Sequence, residues 1–262
     1  MSEVFTYFEG SLPLLVSVPH DGREVPPGIA ARMTDAGRAL PDTDWHVAQL
    51  YDPCRALGAH LLIARQSRYV VDLNRPPDDG ALYPGQLSTG ICPTQTFSGE
   101  SIYQGGAAVG PDEQATRVER HWKPYHRQLK ATLHAIHARH GYALLWDAHS
   151  IPSVVPRLFE GELPVLNLGT DGGRACTDAV FNAVAEIAQA SPYSCALNGR
   201  FRGGYITRHY GRPADQRFAI QLEMAQRAYM SKGAYDDGRA AAVWPYVSRM
   251  LETFMKAARA NG

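Results

Sequence analysis

Short apolar runs of strand length alternate along most of this 262-residue chain with longer segments of helical periodicity, and few folds satisfy that alternation. The runs are LPLLVSV (12–18), HLLIAR (60–65), RYVVDL (68–73), YALLWDA (142–148), LPVLNL (163–168) and FAIQLEM (218–224), each bounded by Gly, Pro or polar residues. Between them, the segments 42–58, about 112–140, 171–190 and about 237–260 repeat apolar residues at helical spacing. Pro111, followed by acidic residues, predicts a helix start, and Pro124 predicts a kink or a division of that helix. Together these predict an α/β fold, one domain over residues 1–262 with a central sheet covered on both faces. Segment 76–110 is rich in Pro, Gly, Ser and Thr and lacks periodicity. A loop of that length predicts a functional role.

Composition narrows the function classes. Lys plus Arg and Asp plus Glu are equal at 26 each, so nothing marks a nucleic-acid or polyanion partner. No run is long enough to span a membrane, and MSEVFTYFEG lacks the basic-then-apolar pattern of a signal peptide. The four cysteines (Cys54, Cys92, Cys176, Cys195) have no CxxC spacing. These features predict a cytoplasmic protein with reduced thiols and a small-molecule substrate, whose metal site, if it has one, is built on His and Asp.

In α/β sheets, ligands gather at the carboxyl ends of the strands. The first run ends in Pro19-His20-Asp21-Gly22, the third in Asn74-Arg75, and the fourth in Asp147-Ala148-His149-Ser150; the last holds Glu223. Two histidines, an arginine and a carboxylate on separate strand ends are the raw material of a metal-assisted hydrolase. Zinc takes imidazole nitrogen and carboxylate oxygen, so two histidines need a third ligand. Asp44, Glu24, Asp42 and Asp21 are the candidates. Asp42 suits a helix N-cap, one cap suffices, and the glycine and prolines around Glu24 argue against a ligand-presenting helix; Asp44 is favoured. Arg75, at the end of its run, suits bidentate carboxylate recognition, though pairing with Asp72 or Asp78 is the plain alternative. His134 and His137 stand three apart on a helix, where a solvated polar face explains them without a ligand. GGYITRHYGRP (203–213), with Arg208 and His209, is either a loop reaching the site or a tight turn.

The blocks SVPHDG, DTDWHVAQLYD, SRYVVDLNRPPDD, WDAHSIPSVVPRLFEGELPVLNLGT, FRGGYITRHYGRP and AIQLEMAQRAYM together resemble the N-formylglutamate amidohydrolase family, from about residue 12 to 232. The resemblance implies a three-layer α/β/α fold with a mixed central sheet, like zinc carboxypeptidases and aspartoacylase. It implies hydrolysis of N-formyl-L-glutamate to glutamate and formate, a step of histidine degradation, with one zinc ion. On its pattern His20 and His149 are metal ligands, Asn74-Arg75 bind a carboxylate and Glu223 is the general base. The relatives' compact His-x-x-Glu would need Glu at position 23, where Arg23 stands, so Asp44 is the inferred third ligand. A dianionic substrate needs a second cation, for which Arg68 and Arg208 are the candidates.

Overall fold

Hydrophobic alternation resolves into one seven-stranded sheet in the computed structural model, which describes residues 3–80, 89–106 and 109–260. The strands are β1 (Phe5–Phe8), β2 (Leu14–Val18), β3 (His60–Ala64), β4 (Ala143–Ile151), β5 (Leu166–Gly169), β6 (Cys195–Leu197) and β7 (Arg217–Ala225), in the order β1-β3-β2-β4-β7-β5-β6. β3, β2, β4 and β7 run parallel; β1 and β5 pair antiparallel to their neighbours β3 and β7. The sheet is therefore mixed. Every residue of β2 and β4 is buried, as expected of strands covered on both faces.

Successive side chains fill two different layers. On one face Val16, Trp146, Ile220 and Leu168 pack with helices α1 (Val47–Tyr51), α4 (Asp178–Gln189) and α6 (Asp237–Ala260). The other face, with Leu15, Leu62, Leu145 and Ala219, meets α3 (Lys123–His140) and α5 (Tyr205–Tyr210) through Tyr125, Leu129, Leu133 and Ile206. No described helix is long and apolar enough to cross a membrane.

The long helical segment does divide. Helix α2 (Pro111–Arg117) passes into a π turn over Val118–Trp122 before α3 begins. Pro124 has no N–H for the carbonyl of Arg120, and the wider turn absorbs that loss.

The run 68–73 is not a strand. Residues 68–75 form turns and irregular backbone, yet Tyr69, Val70, Val71 and Leu73 are all buried. Side chains rather than a neighbouring strand take their carbonyls. Arg117 Nη1 donates to the oxygens of Tyr69 (3.2 Å) and Val70 (3.0 Å), His126 Nε2 to Leu73 (2.9 Å), and Trp122 Nε1 to Arg75 (3.0 Å). The end of α2, the π turn and α3 thus clamp the segment that carries Asp72, Asn74 and Arg75. The loop expected over 76–110 holds no α-helix or strand among its described residues; 81–88 and 107–108 lie outside them.

Candidate active site

Strand alternation makes the site. Ala143 and Leu145 face α3, so Asp147 and His149 follow on the same side; on β7, Ala219 is followed by Gln221 and Glu223. Register sets Asp147 beside Gln221 and His149 beside Glu223. One face of the sheet is therefore apolar at its amino end and polar at its carboxyl end, where β2 delivers His20.

His20, Asp44 and His149 converge, all buried, with one ligand atom of each within 4.8 Å of the others. Asp44 is brought in by its own N–H, which donates to the His20 carbonyl (3.0 Å). Its Oδ2 lies 3.1 Å from His149 Nδ1 and 3.7 Å from His20 Nδ1. Each ring turns its Nε2 toward another buried carboxylate: His20 to Asp72 Oδ1 at 2.8 Å, His149 to Asp147 Oδ1 at 3.2 Å. Asp72 is fixed by the Asn74 N–H (2.9 Å) and Arg68 Nη2 (2.8 Å). Asp147 Oδ2 accepts from the Thr207 hydroxyl (3.1 Å), whereas its buried Oδ1 makes no well-aligned hydrogen bond. Asn74 Nδ2 also reaches His149 Nε2 (2.9 Å), so that ring can carry its proton on either nitrogen. Two Nδ1 atoms and a carboxylate oxygen facing one point, each imidazole backed by a carboxylate, form a donor set that fits a zinc-like divalent ion.

Burial and charge act against each other here. Burial pushes the Asp44 carboxyl up, but the bonds from His149 and His20 more than reverse this and hold it well below the usual carboxylate range. His149 is depressed by burial, yet Asp147 and Asp44 hold it well above an ordinary histidine. Asp72 stays well below the carboxylate range because Arg68 and His20 outweigh its burial. Glu223 is the exception. Burial pushes its carboxyl up to about 8, His149 opposing and Asp44 adding to the rise. One carboxylate held ionised beside another that binds a proton readily is a pattern of acid–base sites.

The other candidate third ligands are engaged elsewhere. Asp42 accepts from the Tyr69 hydroxyl (2.6 Å) and the Phe97 N–H (2.8 Å) and caps no helix; Glu24 pairs with Arg65 at 2.6 Å. Asp21 lies 3.5 Å from Arg23, and burial pushes it up to about 6, that arginine opposing.

The expected cations also separate. Arg75 lines the cleft with Asn74, its Nη1 on the Asn74 carbonyl (3.1 Å) and its buried Nε without a hydrogen-bond partner. Arg68 lines it too, held between Asp72 and Asp44 (3.5 Å) and stacked 4.9 Å from the Phe97 ring centre. Arg208 does not line it: Nη2 lies 3.2 Å from Asp171, and Nε donates to the Gly203 carbonyl (2.8 Å). His134 and His137 border a surface groove on α3 and join no metal-ligand cluster among the described residues.

The sequence assigns no site role to Asp72, Asp147, Gln221 or Arg200, although Gln221 and Arg200 line the cleft and the two aspartates back its histidines; Asp72 pairs with Arg68 rather than Arg75. Asp147 had a readable signal, since it precedes His149 by two in a strand. Asp72 and Arg200 sit on irregular backbone and had none.

Comparison with known proteins agrees in extent. Residues 12–230 match the family described as N-formylglutamate amidohydrolase. The chain is 46% identical over 233 residues to an N-formylglutamate deformylase of Pseudomonas putida, covering 88% of this chain and 87% of that one. A Pseudomonas aeruginosa protein of the same name is 45% identical over 259 residues, 97% of each chain. The crystal structure of an N-formylglutamate amidohydrolase from Ralstonia eutropha JMP134 superposes with a TM-score of 0.84 at 24% identity, over 98% of this chain and 99% of that one, and shares the fold.

Proposed function

This chain belongs to the N-formylglutamate amidohydrolase family, and from that premise we propose that it hydrolyses N-formyl-L-glutamate to L-glutamate and formate with one zinc ion. The observation behind the reading is the convergence of His20, Asp44 and His149 beside Glu223, in a cleft that Arg75 also lines. His20 and His149 would hold the ion through Nδ1 and Asp44 through a carboxylate oxygen. Bound there, the ion supplies positive charge that polarises the formyl carbonyl and acidifies water.

The chain's own residues do the rest. Glu223 takes the proton of the attacking water and returns it to the departing amine nitrogen. Burial raises its carboxyl, and the positive charge of an ion beside it would oppose that rise and favour the carboxylate that accepts the proton. Asn74 and Arg75 grip one substrate carboxylate; the planar guanidinium matches a carboxylate in a way a lysine cannot. Asp72 holds the His20 ring by accepting from its Nε2–H, and Asp147, 3.2 Å from His149 Nε2, would favour the same tautomer there, which leaves each Nδ1 lone pair for the ion. The same reading puts the protein in the cytoplasm, in histidine degradation; its four cysteines are unpaired, as suits a reducing compartment.

The test is enzymatic formate detection with N-formyl-L-glutamate and zinc-supplemented protein. Steady release of formate and glutamate in equal amounts is expected. No release from folded, zinc-loaded protein would sink the proposal.

A further inference from the structure

N-formylglutamate carries two carboxylates, and three arginines line the cleft: Arg68, Arg75 and Arg200. The Arg68 charge is already answered by Asp72 and Asp44, so it serves as an internal counter-ion to the metal-site acids. Arg208 is directed to Asp171, outside the cleft. Arg75 is adjacent to Asn74, whose Nδ2 lies 2.9 Å from His149, so it stands near the hydrolysed bond. Arg200 lines the cleft from the loop after β6, where its Nε donates to the Leu158 carbonyl (2.8 Å) and its guanidinium lies 5.6 Å from the Phe201 ring centre.

That loop is anchored at both ends. Asn198, in the left-handed region (φ 48°), accepts from the N–H groups of Thr170 (2.8 Å) and Gly172 (3.1 Å), and its own N–H donates to Leu168 (2.7 Å). At the far end Gly204 packs so tightly on Asn74 that a Cβ there would fall 2.3 Å from Nδ2. Its N–H donates to Gln221 Oε1 (2.7 Å) on β7. Arg200 is thus presented to the cleft by backbone tied to the same Asn74 and β7 that frame the reacting centre.

Resting on the function proposed above, we infer that Arg200 is the specificity-determining residue that takes the side-chain carboxylate of the substrate, while Arg75 takes the α-carboxylate. The α-carboxylate is one carbon from the nitrogen that is released and belongs with the arginine nearer the metal site. The γ-carboxylate is three carbons from that nitrogen and belongs with the arginine that comes from the separate loop after β6. The enzyme then selects N-acyl amino acids with an anionic side chain over neutral ones of the same length.

The experiment compares wild type, Arg200→Gln and Arg200→Lys on N-formyl-L-glutamate and N-formyl-L-glutamine. Arg200→Gln is expected to lower kcat/KM for the glutamate substrate about 30- to 100-fold, mainly through KM, and to change that for the glutamine substrate less than about 3-fold. Arg200→Lys should recover part of the loss. Titration of L-glutamate and L-glutamine into the same proteins reads the subsite without turnover. An equal loss on both substrates, or an unchanged glutamate-over-glutamine preference in binding, would overturn the assignment. Absence of formate release by wild type would instead overturn the function, with the titration still deciding Arg200.

Discussion

Glu223 and His149 are paired positions on adjacent parallel strands, and both are raised above their ordinary values, the carboxyl by burial and the imidazole by Asp147 and Asp44 against its burial. Glu223→Gln keeps the shape and removes the proposed base. It is expected to cut kcat by about 10³-fold or more while zinc content, measured by atomic emission, stays at one per chain. A variant retaining a tenth of the activity would remove Glu223 from the proton transfer. Asp147 acts one step further out. Asp147→Asn weakens the acceptor behind His149, so zinc affinity should fall about 10- to 100-fold in a chelator competition. An unchanged affinity would mean that Asp147 does not orient the ring. Asp147 was legible from strand alternation, whereas Asp72 reaches His20 only because residues 68–75 leave the strand geometry their composition suggests.

At the scale of elements, that departure has a physical cause. RYVVDL is rich in β-branched and aromatic residues, and a short buried run of this kind cannot be told from a strand by periodicity. What decides its path is Arg117, Trp122 and His126, distant in sequence, which satisfy its carbonyls. On a plain α-helix, residues five apart are about 140° out of phase; the π turn brings Arg117 and Trp122 to the same side. His126 also carries a pH signature. Burial lowers it from 6.5 to about 3, the Leu73 carbonyl opposing, so the ring is neutral when folded. The unfolded chain takes up this proton below about pH 6.5, so the group's stabilisation is complete above that pH and is lost as pH falls toward 3. Urea unfolding at pH 7 and pH 5 should show wild type losing roughly 2 kcal/mol more than His126→Gln over that interval. Equal losses would show that His126 does not stay neutral in the fold.

For the whole molecule, strands and helices alternate as the hydrophobic pattern predicted, and candidate site residues His20, His149 and Glu223 gather at the carboxyl ends of β2, β4 and β7. That much was legible, because five of the six apolar runs became strands and their period places polar ends on one face. The terminal strand Phe5–Phe8 and the short Cys195–Leu197 were not foreseen; both are edge strands, half-buried, with too little apolar sequence to stand out. The loop bearing Arg200 follows the second of these, so that cleft cation was hidden with it. The central claim, that this sheet end holds a metal used in amide hydrolysis, is tested most directly by titrating zinc into chelator-treated protein while following formate release from N-formyl-L-glutamate. Activity is predicted to be absent after chelation and to rise linearly to a plateau at one zinc per chain in wild type, with no such rise in His149→Ala. Full turnover by metal-free wild type would contradict the account.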